Sequence, residues 1–253
     1  MTHPAFPAGL AQAMLLAAGR GERMRPLTDH CPKPLLPVRG QPLMQWPMQA
    51  LARGGFVRQL VNTAWLGEQI EAQWGAQAYW PGLAPVQIAY SHEGRDFGRA
   101  LETAGGILRA LPALEEVFWV LAGDVHAPDF VFSAEAVQRF VASGRQAHLW
   151  LVPNPAHNPQ GDFGLAPDGR VLKLPKGAPG CDFTFSTIAL YRQSFFTGDQ
   201  APAPVGNPGG VAVALAPMLR AAMERDAVSG EVYAGVWADV GTPERLRALD
   251  SPQ

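Results

Sequence analysis

Cysteine is nearly absent from this 253-residue chain, which has only Cys31 and Cys181. Two such thiols cannot build a disulfide framework, and neither stands at metal-ligand spacing, so both are expected to be unpaired in a reducing compartment. Charge is sparse as well: 17% of residues carry it and the balance is −2. That excludes the broad basic surface a nucleic-acid partner would need. No apolar run approaches the roughly 18 residues that span a bilayer. The opening MTHPAFPAG has neither the charged nor the apolar region of a signal peptide. A cytoplasmic protein without a membrane partner is expected, with residues 1–8 as a flexible tail. His92, His126, His148 and His157 show no H-x-x-x-H spacing, so a zinc site is not expected and core or surface placement is.

What is present is a globular composition, 47% hydrophobic, long enough for a large core. Apolar runs at 10–17, 59–63, 86–91, 117–121 and 148–152 read as buried strands. Helix-like stretches lie between them at 42–53, 67–74 and 103–111, and a helix capped by Ser133 runs to about 142. Pro47 argues for a kink or a late start in the first of these helices. This alternation predicts an α/β fold with a mostly parallel sheet. Beyond about residue 125 the chain is rich in turns, with strands at 171–174 and 183–191 and a helix at 214–226. A final helix is capped by Thr242, with Pro243 in its first position.

Residues 15–37, LLAAGRGERMRPLTDHCPKPLLP, are the most informative. The spacing G-x-x-x-x-G-K-[ST] is missing, and Met24 stands where a dinucleotide fingerprint would place its third glycine. Four prolines make a long helix after the turn improbable. The stretch reads instead as an anion site without a helix. Gly19 and Gly21 allow close backbone approach to phosphate, arginines suit bidentate phosphate contacts, and Pro32 and Pro34 brace Lys33. Asp124 closes VFWVLAGD at the end of a strand, where ligands of open α/β sheets bind. Asp239 follows another apolar run in VWADVG. Two such carboxylates are a common means of holding Mg²⁺ against nucleotide phosphates.

Leu16–Thr28 and Pro32–Pro37, followed in order by LETAGGI (101–107), LAGDV (121–125) and WADVGTPERL (237–246), resemble the signature of the sugar-1-phosphate nucleotidyltransferases. The resemblance covers about residues 10–250. It implies a single Rossmann-like domain over 9–250 with a mixed, mostly parallel sheet flanked by helices and no C-terminal β-helix. A nucleotide-binding half would occupy 9–125 and a sugar-binding half 126–250. Within the family, AWLGEQIE, GDF, TFSTIAL and the closing VSGEVYAGVWADVGTPERL are most similar to uridylyltransferases that act on N-acetylmuramate α-1-phosphate in cell-wall recycling. The substrates implied are UTP and that sugar phosphate, the cofactor is Mg²⁺, and a monomer is expected.

Carried over position by position, the resemblance implies nucleoside contacts at Leu16, Ala17, Ala18 and Gly19. It implies triphosphate contacts at Gly21, Glu22 and Arg23, and places Gly105 near the base. Arg23, Lys33 and Asp124 would be catalytic, Asp124 and Asp239 metal ligands, and Asp162, Gly164 and Ser186 sugar contacts. An E-K-P segment common near the sugar in relatives is absent, with VLKLPKG in its region, so Lys173 or Lys176 are candidate substitutes. Guanylyl transfer to mannose-1-phosphate and thymidylyl transfer to glucose-1-phosphate stay open. A non-catalytic nucleotide-sugar regulator would be expected to lose Arg23, Lys33 or an aspartate, and all are present.

Overall fold

The structure, a computed structural model, describes residues 10–198 and 201–250. The expected tail at residues 1–8 lies outside the described residues. The chain opens with β1 (Ala11–Leu16), a β2 (Pro37–Val38) and β3 (Gln41–Pro42) hairpin, α1 (Gln45–Arg53), β4 (Arg58–Thr63), α2 (Gly67–Trp74) and β5 (Gln77–Ala78). Next come β6 (Val86–His92), α3 (Glu93–Phe97), α4 (Glu102–Ala110), β7 (Leu114–Ala122), β8 (Val125–His126), α5 (Ala134–Ser143) and β9 (Ala147–Pro153). The remainder is β10 (Gly164–Leu165), β11 (Val171–Leu172), β12 (Phe183–Arg192), α6 (Leu215–Met223), β13 (Val228–Val232), β14 (Ala238–Asp239) and α7 (Pro243–Asp250).

An eight-stranded sheet with order β13-β9-β12-β7-β1-β4-β6-β5 forms the frame. β1 is central because AQAMLL has almost no polar surface: Ala11, Ala13, Met14 and Leu15 are all buried. It pairs in parallel with β4 on one side and β7 on the other. The chain therefore steps outward from β1 through β4 to β6, then returns to the opposite flank of β1 as β7. That reversal makes a switch point between β1 and β7. β12 runs antiparallel between β7 and β9, and β5 is antiparallel at the far edge. The sheet is mixed and mostly parallel, as expected, and it continues through both halves of the chain. Separate apolar cores built around Met14 and Leu15 include residues of α4 and α6 in the first, and of α1, α2 and α5 in the second. No helix among the described residues is long and apolar enough to cross a membrane.

Two differences from the sequence reading have local causes. α1 starts at Gln45 because Pro42 pairs with Pro37 in the hairpin. Pro47 then falls in the first turn, where its missing N–H costs nothing. β13 was unexpected, since VSGEV has a central glycine. That Gly230 is required by crowding: an added Cβ would lie 2.8 Å from the Leu149 carbonyl.

Candidate active site

The C-terminal ends of β1, β4 and β7 lie level, with Leu16 paired to Asn62 and to Ala122. A cleft of about 810 Å³ opens over these ends. Its rim begins with the loop after β1. Gly21 is in the left-handed region at φ 69°, where a Cβ would sit 3.0 Å from Thr28 Cγ2. The Thr28 hydroxyl donates to the Gly21 carbonyl at 2.8 Å and closes the turn. Arg20 lies 3.7 Å over the Trp65 ring and donates to the Thr28 carbonyl at 2.8 Å. Arg20 and Arg25 both bind Asp29, at 3.1 and 2.8 Å, and the Arg20 hydrogen bond leads in holding that carboxyl below its ordinary range. These two arginines brace the loop. Arg23 is exposed, lines the cleft and makes no hydrogen bond or ion pair among the described residues.

The same loop is anchored below by a small core in which Met24, Leu36, Val38 and Leu43 pack on Val240 and Leu246. Each such buried side chain contributes about 1.5–3 kcal/mol, so a proline-rich segment is fixed to α7 without regular structure. Lys33 follows buried Pro32 and precedes buried Pro34. Its ammonium contacts the Asp124 carboxylate, 91 positions away. Asp124 leaves the sheet after Gly123, where a Cβ would lie 2.9 Å from Met44 Sδ and 3.2 Å from the Leu16 carbonyl.

β14 pairs with β8 and sets Asp239 opposite Val125, while the Val240 N–H donates to the Asp124 carbonyl at 3.0 Å. The two aspartates thus leave neighbouring strands. Arg245 donates to Asp239, and His157 Nε2 lies 3.0 Å from the same oxygen. His157 is therefore a partner of a predicted site residue rather than an isolated surface histidine. His126 and His148 are held below the ordinary histidine range, first by burial, as expected for core histidines.

The floor of the cleft holds a network that the sequence reading missed. The Ala17 N–H donates to Asn62 Oδ1 at 2.7 Å, Asn62 Nδ2 donates to Glu93 Oε1 at 2.7 Å, and the Leu101 N–H donates to Glu93 Oε2 at 2.7 Å. Glu93 is fully buried, and burial pushes its carboxyl up against the opposing effect of these donors. Glu102 and Thr187 also line the cleft, with φ of 60° and 68°. Strained non-glycine backbone of this kind gathers at functional sites. The signals for Asn62 and Glu93 were a polar residue closing the apolar run QLVNT and an acid directly after VQIAYSH.

At the other wall, Asp162 accepts from the Phe185 N–H at 3.1 Å and lies 3.4 Å from Lys176 Nζ. Phe163, Tyr191, Leu219 and Arg220 continue this wall. Lys173 instead bonds Glu224 outside the cleft lining, so of the two candidate lysines only Lys176 reaches the cleft. The structure brings Leu16, Ala17, Ala18, Gly19, Gly21, Glu22, Arg23, Lys33, Asp124 and Asp162 to one cleft. Four expected site residues do not line it: Asp239, which Arg245 and His157 hold, and three expected contacts. Gly105 packs where a Cβ would lie 2.5 Å from the Val211 carbonyl, and at Gly164 one would lie 2.7 Å from the Gly180 carbonyl. Ser186 is fully buried; its hydroxyl donates to the Trp150 carbonyl at 2.7 Å and accepts from the Ile188 N–H at 3.1 Å.

The model of the family described as nucleotidyl transferase matches residues 12–251. The chain belongs to the nucleotidyltransferase family. This nucleotidyltransferase is 46% identical over 238 residues to the N-acetylmuramate alpha-1-phosphate uridylyltransferase of Neisseria meningitidis serogroup B, covering 93% of this chain and 95% of that protein. It is 38% identical over 122 residues to the UTP–glucose-1-phosphate uridylyltransferase of Synechocystis, covering 45% of this chain and 30% of that protein. In fold it resembles a UDP-glucose pyrophosphorylase from Acinetobacter, with a TM-score of 0.73 at 14% identity over 95% of this chain and 92% of that one.

Members of the family commonly use a divalent metal. Among the described residues no group of three or more His, Cys, Asp or Glu side chains gathers to hold a metal, so an ion here would need substrate oxygens as further ligands. Asp124 and Asp239 supply hard oxygen ligands, and both carboxylates already attract cationic groups: Lys33 for the first, Arg245 and His157 for the second. Two carboxylates suffice where substrate phosphates and water complete the shell.

Proposed function

We propose that this nucleotidyltransferase moves UMP from UTP to N-acetylmuramate α-1-phosphate, giving UDP-N-acetylmuramate and pyrophosphate. The observation that carries the reading is the meeting of a proline-braced Lys33 with Asp124 at the switch point, beside a glycine loop that leaves Arg23 free over the cleft. The identity of 46% to a uridylyltransferase of that specificity supports the choice of base and sugar.

A phosphate oxygen of the sugar forms a bond to the α-phosphorus of UTP. The bond from that phosphorus to the bridging oxygen breaks, and its electron pair leaves with pyrophosphate. The backbone of residues 16–19 holds the nucleoside, with Gly21 and Glu22 along the triphosphate. Arg23 neutralises the leaving pyrophosphate, and Lys33 holds positive charge at the reacting phosphate. Asp162 and Lys176 orient the sugar. Asp124 and Asp239 would hold Mg²⁺, which would add positive charge for the phosphate oxygens. No side chain needs to act as a nucleophile, so the protein contributes positioning and preorganised charge. Residues 9–125 serve the nucleotide and 126–250 the sugar, and the enzyme works as a cytoplasmic monomer in cell-wall recycling.

The test is pyrophosphate release with Mg²⁺, each of the four common triphosphates and a panel of sugar-1-phosphates. UTP with N-acetylmuramate α-1-phosphate is expected to react fastest, and excess chelator to stop the reaction. A strong preference for glucose or mannose phosphate would refute the sugar assignment, and full activity in chelator the metal role.

A further inference from the structure

Arg220 is the cation in the cleft wall that the mechanism leaves unused. It projects from α6 and is partly buried, and its side chain makes no hydrogen bond or ion pair among the described residues. Its guanidinium lies 5.6 Å from the centre of the Phe163 ring, and both residues line the cleft. Lys176 has Asp162 at 3.4 Å and Lys33 has Asp124, so these wall cations are already matched by carboxylates. Arg220 has only an aromatic face beneath it. Around it the wall is apolar, formed by Phe163, Leu215 and Leu219, the last of which is 2% exposed. An unpaired guanidinium in such surroundings is poorly solvated and is presented for a planar, bidentate anion.

We propose that Arg220 is a specificity residue that selects sugar-1-phosphates carrying a carboxylate on a ring substituent, by binding that carboxylate over the face of Phe163. The proposal rests on reading this wall as the sugar site and names the class of sugar it prefers. The phosphate of the substrate is served by Lys33 and Arg23, so the anion met by Arg220 is a second one, carried by the sugar itself. N-acetylmuramate has such a group on an ether substituent, and N-acetylglucosamine is the same ring without it.

The experiment measures kcat/KM for both sugar-1-phosphates with UTP in the full-length wild type, Arg220→Gln and Arg220→Lys. Arg220→Gln is expected to lower kcat/KM for the acidic sugar by about ten- to a hundredfold, mainly through KM. The ratio between the two sugars should collapse, and Arg220→Lys should restore part of it. Equal losses with both sugars, or a wild-type ratio near unity, would overturn the proposal. Calorimetric binding of the two sugar phosphates separates this from failure of the assigned reaction. If no pyrophosphate is released, a wild-type affinity preference for the acidic sugar that Arg220→Gln abolishes still supports the subsite. Equal affinities would overturn it.

Discussion

Three arginines and a lysine within fourteen positions have different work, and their surroundings explain why. Arg20 and Arg25 spend their donors on Thr28 and Asp29, so they hold the loop shape. Arg23 is left facing the cleft, and Lys33 is directed onto Asp124. The roles of Arg20 and Arg25 could not be read from sequence, because their partners become neighbours only once the loop has closed on Trp65. Ser186 was misplaced for a similar reason. Phe185 and Thr187 face the cleft, so the alternation along β12 turns the Ser186 hydroxyl to the opposite face, onto the Trp150 carbonyl. Lys33→Ala tests the proposed charge at the reacting phosphate. Losing one preorganised contact of this kind costs about 3–4 kcal/mol of barrier, or on the order of 10²–10³ in kcat. The variant should melt as a folded protein by circular dichroism, and near-normal turnover would remove Lys33 from the mechanism.

Among the elements, α4 shows how a helix is shaped by what it must approach. Gly105 and Gly106 each cost a helix about 1 kcal/mol relative to alanine. Close approach demands both, since a Cβ at Gly106 would lie 2.4 Å from Glu93 Oε1. Glu93 then joins β4, α3 and the start of α4 through Asn62 and Leu101. This gives a pH dependence of stability. Burial raises the folded-state carboxyl above its ordinary value. Relative to a Gln at this site, Glu93 therefore adds stability below that ordinary value and loses it as pH rises through the raised folded value. The difference in Tm between wild type and Glu93→Gln, followed from about pH 4 to about pH 8, should move against the wild type as pH increases; a constant difference would contradict this. Elements with strong periodicity or caps were legible. Among them are α2 over 67–74 and α5, whose Ser133 accepts from the Ala136 N–H at 3.1 Å. β13 was not legible, because its pairing to β9 depends on backbone crowding around Gly230 rather than on side-chain pattern.

At the scale of the whole molecule, one sheet carries both ends of the cleft. The loop after β1, the end of β7 and the β14 segment converge at the switch point, while β12 and α6 from the second half build the opposite wall. The family motifs pointed to most of the first group, because their fixed spacing keeps the loop residues and the end of β7 recognisable in sequence. They did not foretell Arg220, since a wall assembled from separate elements leaves no compact pattern in sequence. The proposed reaction places both substrates in this single cleft and transfers the nucleotidyl group directly in one displacement. The most direct measurement of that claim uses UTP made chiral at the α-phosphorus with sulfur, and reads the configuration in the UDP-sugar product. A single in-line transfer predicts inversion at phosphorus. Retention would require an intermediate nucleotidyl-enzyme and would contradict the account.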